Sequence, residues 1–111
     1  MCEELPNDSD GDALRRLLAD GSDLSKPMEI DFAVLVPNQE TGLKFAKTVE
    51  PLGFRTSVKF GEATGRWTCY CSCRMVPSYD AMIATQKTLE KLGAPYGAKP
   101  DGWGTFGNAP D

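Results

Sequence analysis

Side chains alternate strictly between apolar and polar along residues 66 to 75, RWTCYCSCRM. Every second side chain of an extended strand projects from the same face. One face therefore carries Trp67, Cys69, Cys71, Cys73 and Met75, and the other carries Thr68, Tyr70, Ser72 and Arg74. A free cysteine behaves as a small hydrophobe, so the first face is apolar throughout. The pattern predicts a strand with one face against helices and the other in solvent.

The three alternating cysteines are therefore interpreted as core residues. Neighbours on one strand face lie about 6.6 Å apart with parallel Cβ vectors, whereas a disulfide needs Cβ atoms within about 4.5 Å. A zinc site needs four ligands, usually with a turn that brings two of them together. The chain has no histidine, which is also the commonest general base. We predict no metal, no cofactor and no catalytic residue, with metal or redox use of the cysteines as the alternative.

The order of the other periodic segments predicts the fold class. Residues 28–36 and 54–61 also alternate, and in the second of these segments Val58 and Phe60 are expected to point inward. Helical spacing follows in 9–21, 39–50 and 79–92, and a short last strand is expected around Tyr96 or Trp103. The chain is therefore predicted to be α+β, a ferredoxin-like βαββαβ sandwich. It has a four-stranded antiparallel sheet with helices on one face and an extra N-terminal helix.

Length and charge limit the classes of protein that remain. A chain of 111 residues fits one domain, which we place at residues 8–105. Residues 1–7 are expected to be a disordered N-terminal tail and 106–111 a flexible C-terminal tail. No apolar run approaches the roughly 18 residues that cross a bilayer, and the acidic N-terminus does not resemble a signal peptide, so a cytoplasmic location is expected. The net charge of −4 makes direct nucleic-acid binding unfavourable.

The uncovered face of the predicted sheet supplies most of the candidate partner-binding residues. They are Asp31, Arg55, Lys59, Tyr70 and Arg74. Tyr70 between basic residues could stack on a nucleotide, as in sheet-face RNA-binding domains, although the aromatic pair of those domains is absent. The same residues could instead form an ordinary solvated face with cross-strand charge pairs. Binding of a protein partner is the third interpretation.

A second unusual stretch, PDGWGTF at residues 100–106, adds Asp101 and Trp103 as candidates. Asp101 followed by glycine favours a tight turn. An indole between glycines could insert into a partner's pocket. It could equally pack against the sheet edge or the core with its N–H satisfied within the domain. The physical arguments favour packing.

Several motifs together resemble one known family. They are DALRRLLADG with the following IDF strand, MVP before the last long helix, and DGWGT at residues 101–105. Over roughly residues 8–105 the chain resembles the RraB family of regulators of ribonuclease E activity. The resemblance implies the same α+β fold. It also implies a bacterial, cytoplasmic, non-enzymatic protein that binds ribonuclease E through the scaffold region of that enzyme and inhibits it, which alters mRNA turnover. The alternative is a small-ligand or RNA-binding module that uses the open sheet face, and the oligomeric state is left open.

Overall fold

Three α-helices and four strands follow one another in the computed structural model, which describes residues 8–105 and 107–108. In chain order they are α1 (Ser9–Ala19), β1 (Met28–Val36), α2 (Gln39–Val49), β2 (Arg55–Gly61), β3 (Arg66–Met75), α3 (Tyr79–Gly93) and β4 (Lys99–Gly104). Short 3₁₀ turns, Glu50–Leu52 and Ala94–Tyr96, follow α2 and α3. Across the described ranges, no helix is long and apolar enough to cross a membrane.

The strands form one sheet in the order β2-β3-β1-β4, and all neighbours are antiparallel. Two connections, β1-α2-β2 and β3-α3-β4, each pass over the sheet and return beyond an intervening strand. α2 and α3 therefore lie on the same face, and α1 packs against α3. This arrangement confirms the predicted ferredoxin-like fold with its extra N-terminal helix.

The core lies between the sheet and the two crossover helices. Alternate residues of β1 are buried, namely Met28, Ile30, Phe32, Val34 and Val36. The helices contribute Phe45 and Val49 from α2 and Met82 and Leu89 from α3, all fully buried. The other side chains of β1 are only partly buried, because no element of residues 8–105 covers that face of the sheet. This uncovered face, which we call the open face, is therefore the surface available for binding.

The cysteines of β3 lie under the helices. Cys69 and Cys71 are fully buried and Cys73 is partly buried. The Sγ atoms of Cys69 and Cys71 are 3.9 Å apart, far beyond the S–S bond length of about 2.05 Å. The contact with the Cys69 sulfur and burial raise the pKa of the Cys71 thiol, and burial raises the pKa of Cys73. The three free cysteines thus fill the place of small apolar side chains.

The expectation that Phe60 points into the core is wrong. Its side chain is 49% exposed, and its ring lies on Trp67 with centroids 5.2 Å apart. α2 begins over Val58, where a Cβ at Gly42 would lie 3.0 Å from Val58 Cγ1. Phe60 is one residue pair further towards the end of β2, which is also an edge strand. The alternation gave its face correctly, but the helix layer ends before it.

Both predicted tails lie mainly outside the described residues. Residues 1–7, 106 and 109–111 are not described, so the disordered N-terminal tail and the flexible C-terminal tail stay predictions there. Asn108, which falls within the second of these stretches, is hydrogen-bonded to the connector between α1 and β1. Its Oδ1 accepts from the backbone N–H of Asp23 at 2.7 Å, and its Nδ2 donates to the carbonyl oxygen of Asp23 at 2.9 Å.

Candidate functional site

Strands β1, β2 and β3 place five of the seven predicted site residues on the open face of the sheet: Asp31, Arg55, Lys59, Tyr70 and Arg74. The register places Tyr70 between Ser57 and Ala33, which are both small. One residue pair away, Thr68 lies between Lys59 and Leu35. The open face therefore divides into two halves along the strands.

In one half, the charged side chains pair with each other. Arg55 forms an ion pair with Glu29, which is directly opposite Arg74 in the register. The Ser72 hydroxyl donates to Asp31 Oδ1 at 2.5 Å. This is the solvated face with cross-strand pairs that sequence analysis considered.

The other half is a shallow depression of about 600 Å³. It is lined by Leu35, Lys59, Phe60, Gly61, Thr64, Arg66, Thr68, Tyr70 and Asp101. The structure thus brings together three predicted site residues, Lys59, Tyr70 and Asp101. Among the described residues, the side chains of Lys59 and Arg66 make no ion pair or hydrogen bond. Two cations without partners therefore flank a partly apolar floor.

A β-bulge brings Asp101 to this depression. Phe32 pairs with Trp103 and Val34 with Pro100, so two residues of β4, Asp101 and Gly102, lie opposite one residue of β1. Gly102 has a φ of 98°, a conformation that costs little only for glycine. Bulges commonly change the direction of a side chain at an edge, and here the bulge turns the carboxylate towards the open face.

Trp103 lies on the opposite face from the other candidates. It is partly buried against the core opposite Phe32. Its Nε1–H donates to Asp10 Oδ1 of α1 at 2.8 Å, and Gln86 Nε2 of α3 donates to the same oxygen at 3.2 Å. Trp103 therefore links β4 to two helices, in agreement with the packing interpretation of its motif.

Four carboxylates gather at the N-terminal ends of α1 and α3: Asp8, Asp10, Asp12 and Asp80. Asp8 caps α1 by accepting from the N–H of Gly11, and the Tyr79 hydroxyl donates to Asp8 Oδ2 at 2.6 Å. That hydrogen bond lowers the pKa of Asp8 and, helped by the negative charges of Asp8, Asp10 and Asp80, raises the pKa of Tyr79. We call these four residues the acidic cluster.

The charges of the molecule are consequently divided between its two sides. The open face carries five Lys or Arg residues, Arg55, Lys59, Arg66, Arg74 and Lys99, against three carboxylates, Glu29, Asp31 and Asp101. The rest of the described chain has seven Lys or Arg residues against ten carboxylates. A protein with a net charge of −4 thus has one positive face.

Sequence reasoning missed Arg66, Lys99 and the acidic cluster. Arg66 lies on the same strand face as Thr68 and Tyr70, so the alternation of side chains could have placed it on the open face. Lys99 could not be placed, because the bulge in β4 sets its position opposite Leu35. The acidic run NDSDGD at residues 7–12 was visible, but its proximity to Asp80 depends on how α1 packs.

Over residues 8–105 and 107–108, no three His, Cys, Asp or Glu side chains converge on a point that could hold a metal ion. The predictions that the protein uses no metal, no cofactor and no catalytic residue remain predictions. The described geometry supplies charged and polar surfaces on two sides of one domain.

The fold and its surfaces define a ferredoxin-like α+β domain with one uncovered, positively charged sheet face. A model of one family, described as regulator of ribonuclease activity B, matches residues 7–105. The chain belongs to this RraB family, which is described as a family of regulators of ribonuclease activity. No curated protein matches the chain.

Proposed function

We propose that this protein is a non-enzymatic, cytoplasmic regulator that binds ribonuclease E and inhibits it, and so changes which transcripts are degraded. The family match over residues 7–105 carries the proposal, because the family's description is regulation of ribonuclease activity. The choice of ribonuclease E, and of inhibition, follows from the resemblance of motifs such as DGWGT. The proposed partner is thus a protein. The part of ribonuclease E that we expect to be bound is its scaffold region, outside the catalytic domain.

The acidic cluster is the surface that we propose for this contact. Scaffold segments that bind RNA are basic, and an acidic surface attracts such segments and competes with RNA for them. Asp12 and Asp80 are exposed. A partner can therefore reach both carboxylates, although Asp12 also pairs with Arg15. The cluster also lies at the N-terminal ends of two helices, where the backbone stabilises negative charge.

Binding and cleavage assays test the proposal. Calorimetry with a scaffold fragment of ribonuclease E should give micromolar binding that weakens as salt is added. The protein should slow RNA cleavage by the full-length enzyme but not by its isolated catalytic domain. Absence of binding at micromolar concentration would exclude ribonuclease E as the partner.

A pair of double variants tests the contact surface. Asp12→Asn with Asp80→Asn removes two charges from the acidic cluster, and should weaken binding several-fold. Glu40→Gln with Glu62→Gln changes the net charge equally, but at exposed positions on α2 and in the β2–β3 turn. Equal weakening by the two double variants would show that net charge matters and that the acidic cluster is not the contact.

A further inference from the structure

We propose that the open-face depression is a docking site for a short, extended, acidic peptide segment that carries one apolar side chain. The site lies on the side of the sheet away from the helices and the acidic cluster, so it goes beyond the proposed binding of a basic scaffold segment. The occupant belongs to a second protein or to a different region of the same partner. Its chemistry follows from the charges and spacing of the lining residues.

Charge complementarity gives the acidic character. Lys59 and Arg66 are exposed and have no ion-pair partner within the described chain. Lys59 lies directly opposite Thr68, so Arg66 is its diagonal neighbour at a Cα separation of about 7–8 Å. Two carboxylates on one side of an extended peptide, at positions i and i+2, are about 6.6 Å apart. An extended acidic segment can therefore meet both cations at once.

The floor of the depression gives the apolar side chain. Leu35 is partly buried, and Tyr70 is 37% exposed. Thr68 lies next to Leu35, and the small residues Ala33 and Ser57 flank Tyr70. These short side chains leave space above the sheet. One aromatic or aliphatic side chain of the segment would cover Leu35 and the Tyr70 ring, with its acidic residues towards Lys59 and Arg66.

Asp101 fixes the direction of the segment. It lies in β4, on the far side of the depression from β2. A carboxylate there repels the acidic end of a segment and can accept a hydrogen bond from an N–H group at the neutral end. The apolar, neutral part should therefore lie near Asp101 and Tyr70, and the acidic part near Lys59 and Arg66.

A nucleic acid fits the same face less well. Proteins that bind single strands stack successive bases on several aromatic side chains, whereas Tyr70 is the one aromatic residue on the open face of the described strands. Phe60 lines one end of the depression, but it alternates with Lys59 and so belongs to the helix-side face of β2. A polyanion longer than the depression also meets the negative remainder of the molecule, whereas a short acidic segment meets only the positive face.

Fluorescence anisotropy tests the proposal with a labelled peptide, GFSETEG, whose apolar and two acidic residues share one side when extended. The peptide GFSKTKG and a single-stranded RNA decamer are the competing probes.

Lys59→Glu with Arg66→Glu should weaken binding of the acidic peptide at least about tenfold, since two attractions become repulsions. The milder Lys59→Gln with Arg66→Gln serves if the reversal prevents folding. Lys47→Glu with Lys91→Glu, exposed on α2 and α3, makes the same charge change elsewhere and should weaken binding less than about twofold.

Peptide-induced amide shifts at Leu35, Thr68 and Tyr70, in NMR spectra of the full chain, would support the site. The proposal is overturned if the acidic peptide does not bind at millimolar concentration, or if the two charge reversals weaken it equally. Preferential binding of the RNA decamer would assign the face to nucleic acid instead. Self-association that Lys59→Glu with Arg66→Glu abolishes would assign it to a second copy of the chain. None of these binding experiments contains ribonuclease E. A negative result for the peptide site is therefore separate from a negative result for the proposed inhibition of ribonuclease E.

Discussion

Trp103 shows how one side chain can stabilise several elements at once. Its ring packs on the core from β4, and its N–H reaches Asp10 of α1. Trp103→Ala should lower the free energy of unfolding by about 2–4 kcal/mol, because a partly buried indole and a hydrogen bond to a carboxylate are both lost. Trp103→Phe should cost about 1–2 kcal/mol. Urea denaturation measures both changes, and partner binding should change less than stability.

The same hydrogen bond can be removed from its other end. Asp10→Ala should destabilise the protein by about 1–2 kcal/mol. Asp12→Ala, in the same turn of α1, should have a smaller effect, because Asp12 is exposed and its ion pair is with the half-exposed Arg15. If Trp103→Ala kept the melting temperature but abolished partner capture, the indole would be a binding residue and the packing interpretation would be wrong.

The cysteines of β3 should be chemically silent in the folded protein. In a Cys2→Ser background, only Cys69, Cys71 and Cys73 can react with a thiol reagent. Burial keeps a reagent away from the sulfurs of Cys69 and Cys71, and the raised pKa values of Cys71 and Cys73 keep those two thiols protonated. Native protein should react slowly, and protein in denaturant should titrate three thiols at once. Fast reaction of all three without denaturant would contradict core packing.

At the scale of elements, local patterns predicted what depends on neighbours in sequence. Asn38 and Ser78 cap α2 and α3 as helix signals indicate, and Gly53, with φ 103°, ends the turn after α2. The exposure of Phe60 and the contact between Asp10 and Trp103, 93 residues apart, depend on where helices end and pack. No local period contains that information, so the depression and the acidic cluster emerged only from the structure.

The packing of α3 against the start of β4 predicts an unusual glycine effect. A Cβ at Gly93 would lie 2.9 Å from Ala98 Cβ and 3.3 Å from Phe45 Cε1. Alanine normally stabilises a helix by about 1 kcal/mol relative to glycine. Here crowding should dominate, and Gly93→Ala should destabilise by about 1–3 kcal/mol. Gly104→Ala is the control and should be nearly neutral in thermal melts, because no described residue beyond its two chain neighbours lies within 4 Å of the added Cβ.

The contact between α1 and α3 should depend on pH through Asp8 and Tyr79. The pKa of Asp8 is lowered, so its contribution exists above the ordinary value of 3.8 and is lost as pH falls through the folded value. The pKa of Tyr79 is raised, so its contribution exists below the ordinary value of 10.0 and is lost as pH rises through the folded value. The stability difference between wild type and Tyr79→Phe should therefore be largest near neutral pH.

Denaturant titrations across the pH range measure that difference, with Tyr96→Phe as the matched control. The Tyr96 hydroxyl contacts the Thr48 hydroxyl at 3.0 Å and no carboxylate of the described residues, so the effect of Tyr96→Phe should stay constant on the acidic side. A Tyr79→Phe effect that did not shrink in acid would mean that the Tyr79–Asp8 hydrogen bond does not couple α1 to α3.

At the scale of the whole molecule, the positive charge of the open face should also oppose association of two molecules, because two of its cations lie on the edge strand β2. β2 and β4 are the edges of the sheet, and unpaired edges can join the sheets of two molecules. β4 carries Pro100 and a bulge, both of which oppose pairing. β2 is a regular strand with an exposed Phe60, and its protection depends on Arg55 and Lys59. Charged side chains on an edge disfavour pairing with another edge, most strongly when the partner is an identical, equally charged strand.

Arg55→Thr with Lys59→Val should therefore promote association through β2, because it replaces two cations with residues that favour strands. Light scattering after gel filtration should show a mass that rises with protein concentration beyond that of the wild type. Lys47→Thr with Lys91→Val removes the same number of positive charges and introduces the same two residues on the exposed surfaces of α2 and α3, and it should leave the mass as in the wild type. Equal association of the two double variants would attribute the effect to lost solubility, and unchanged mass in both would show that the charges on β2 do not protect this edge.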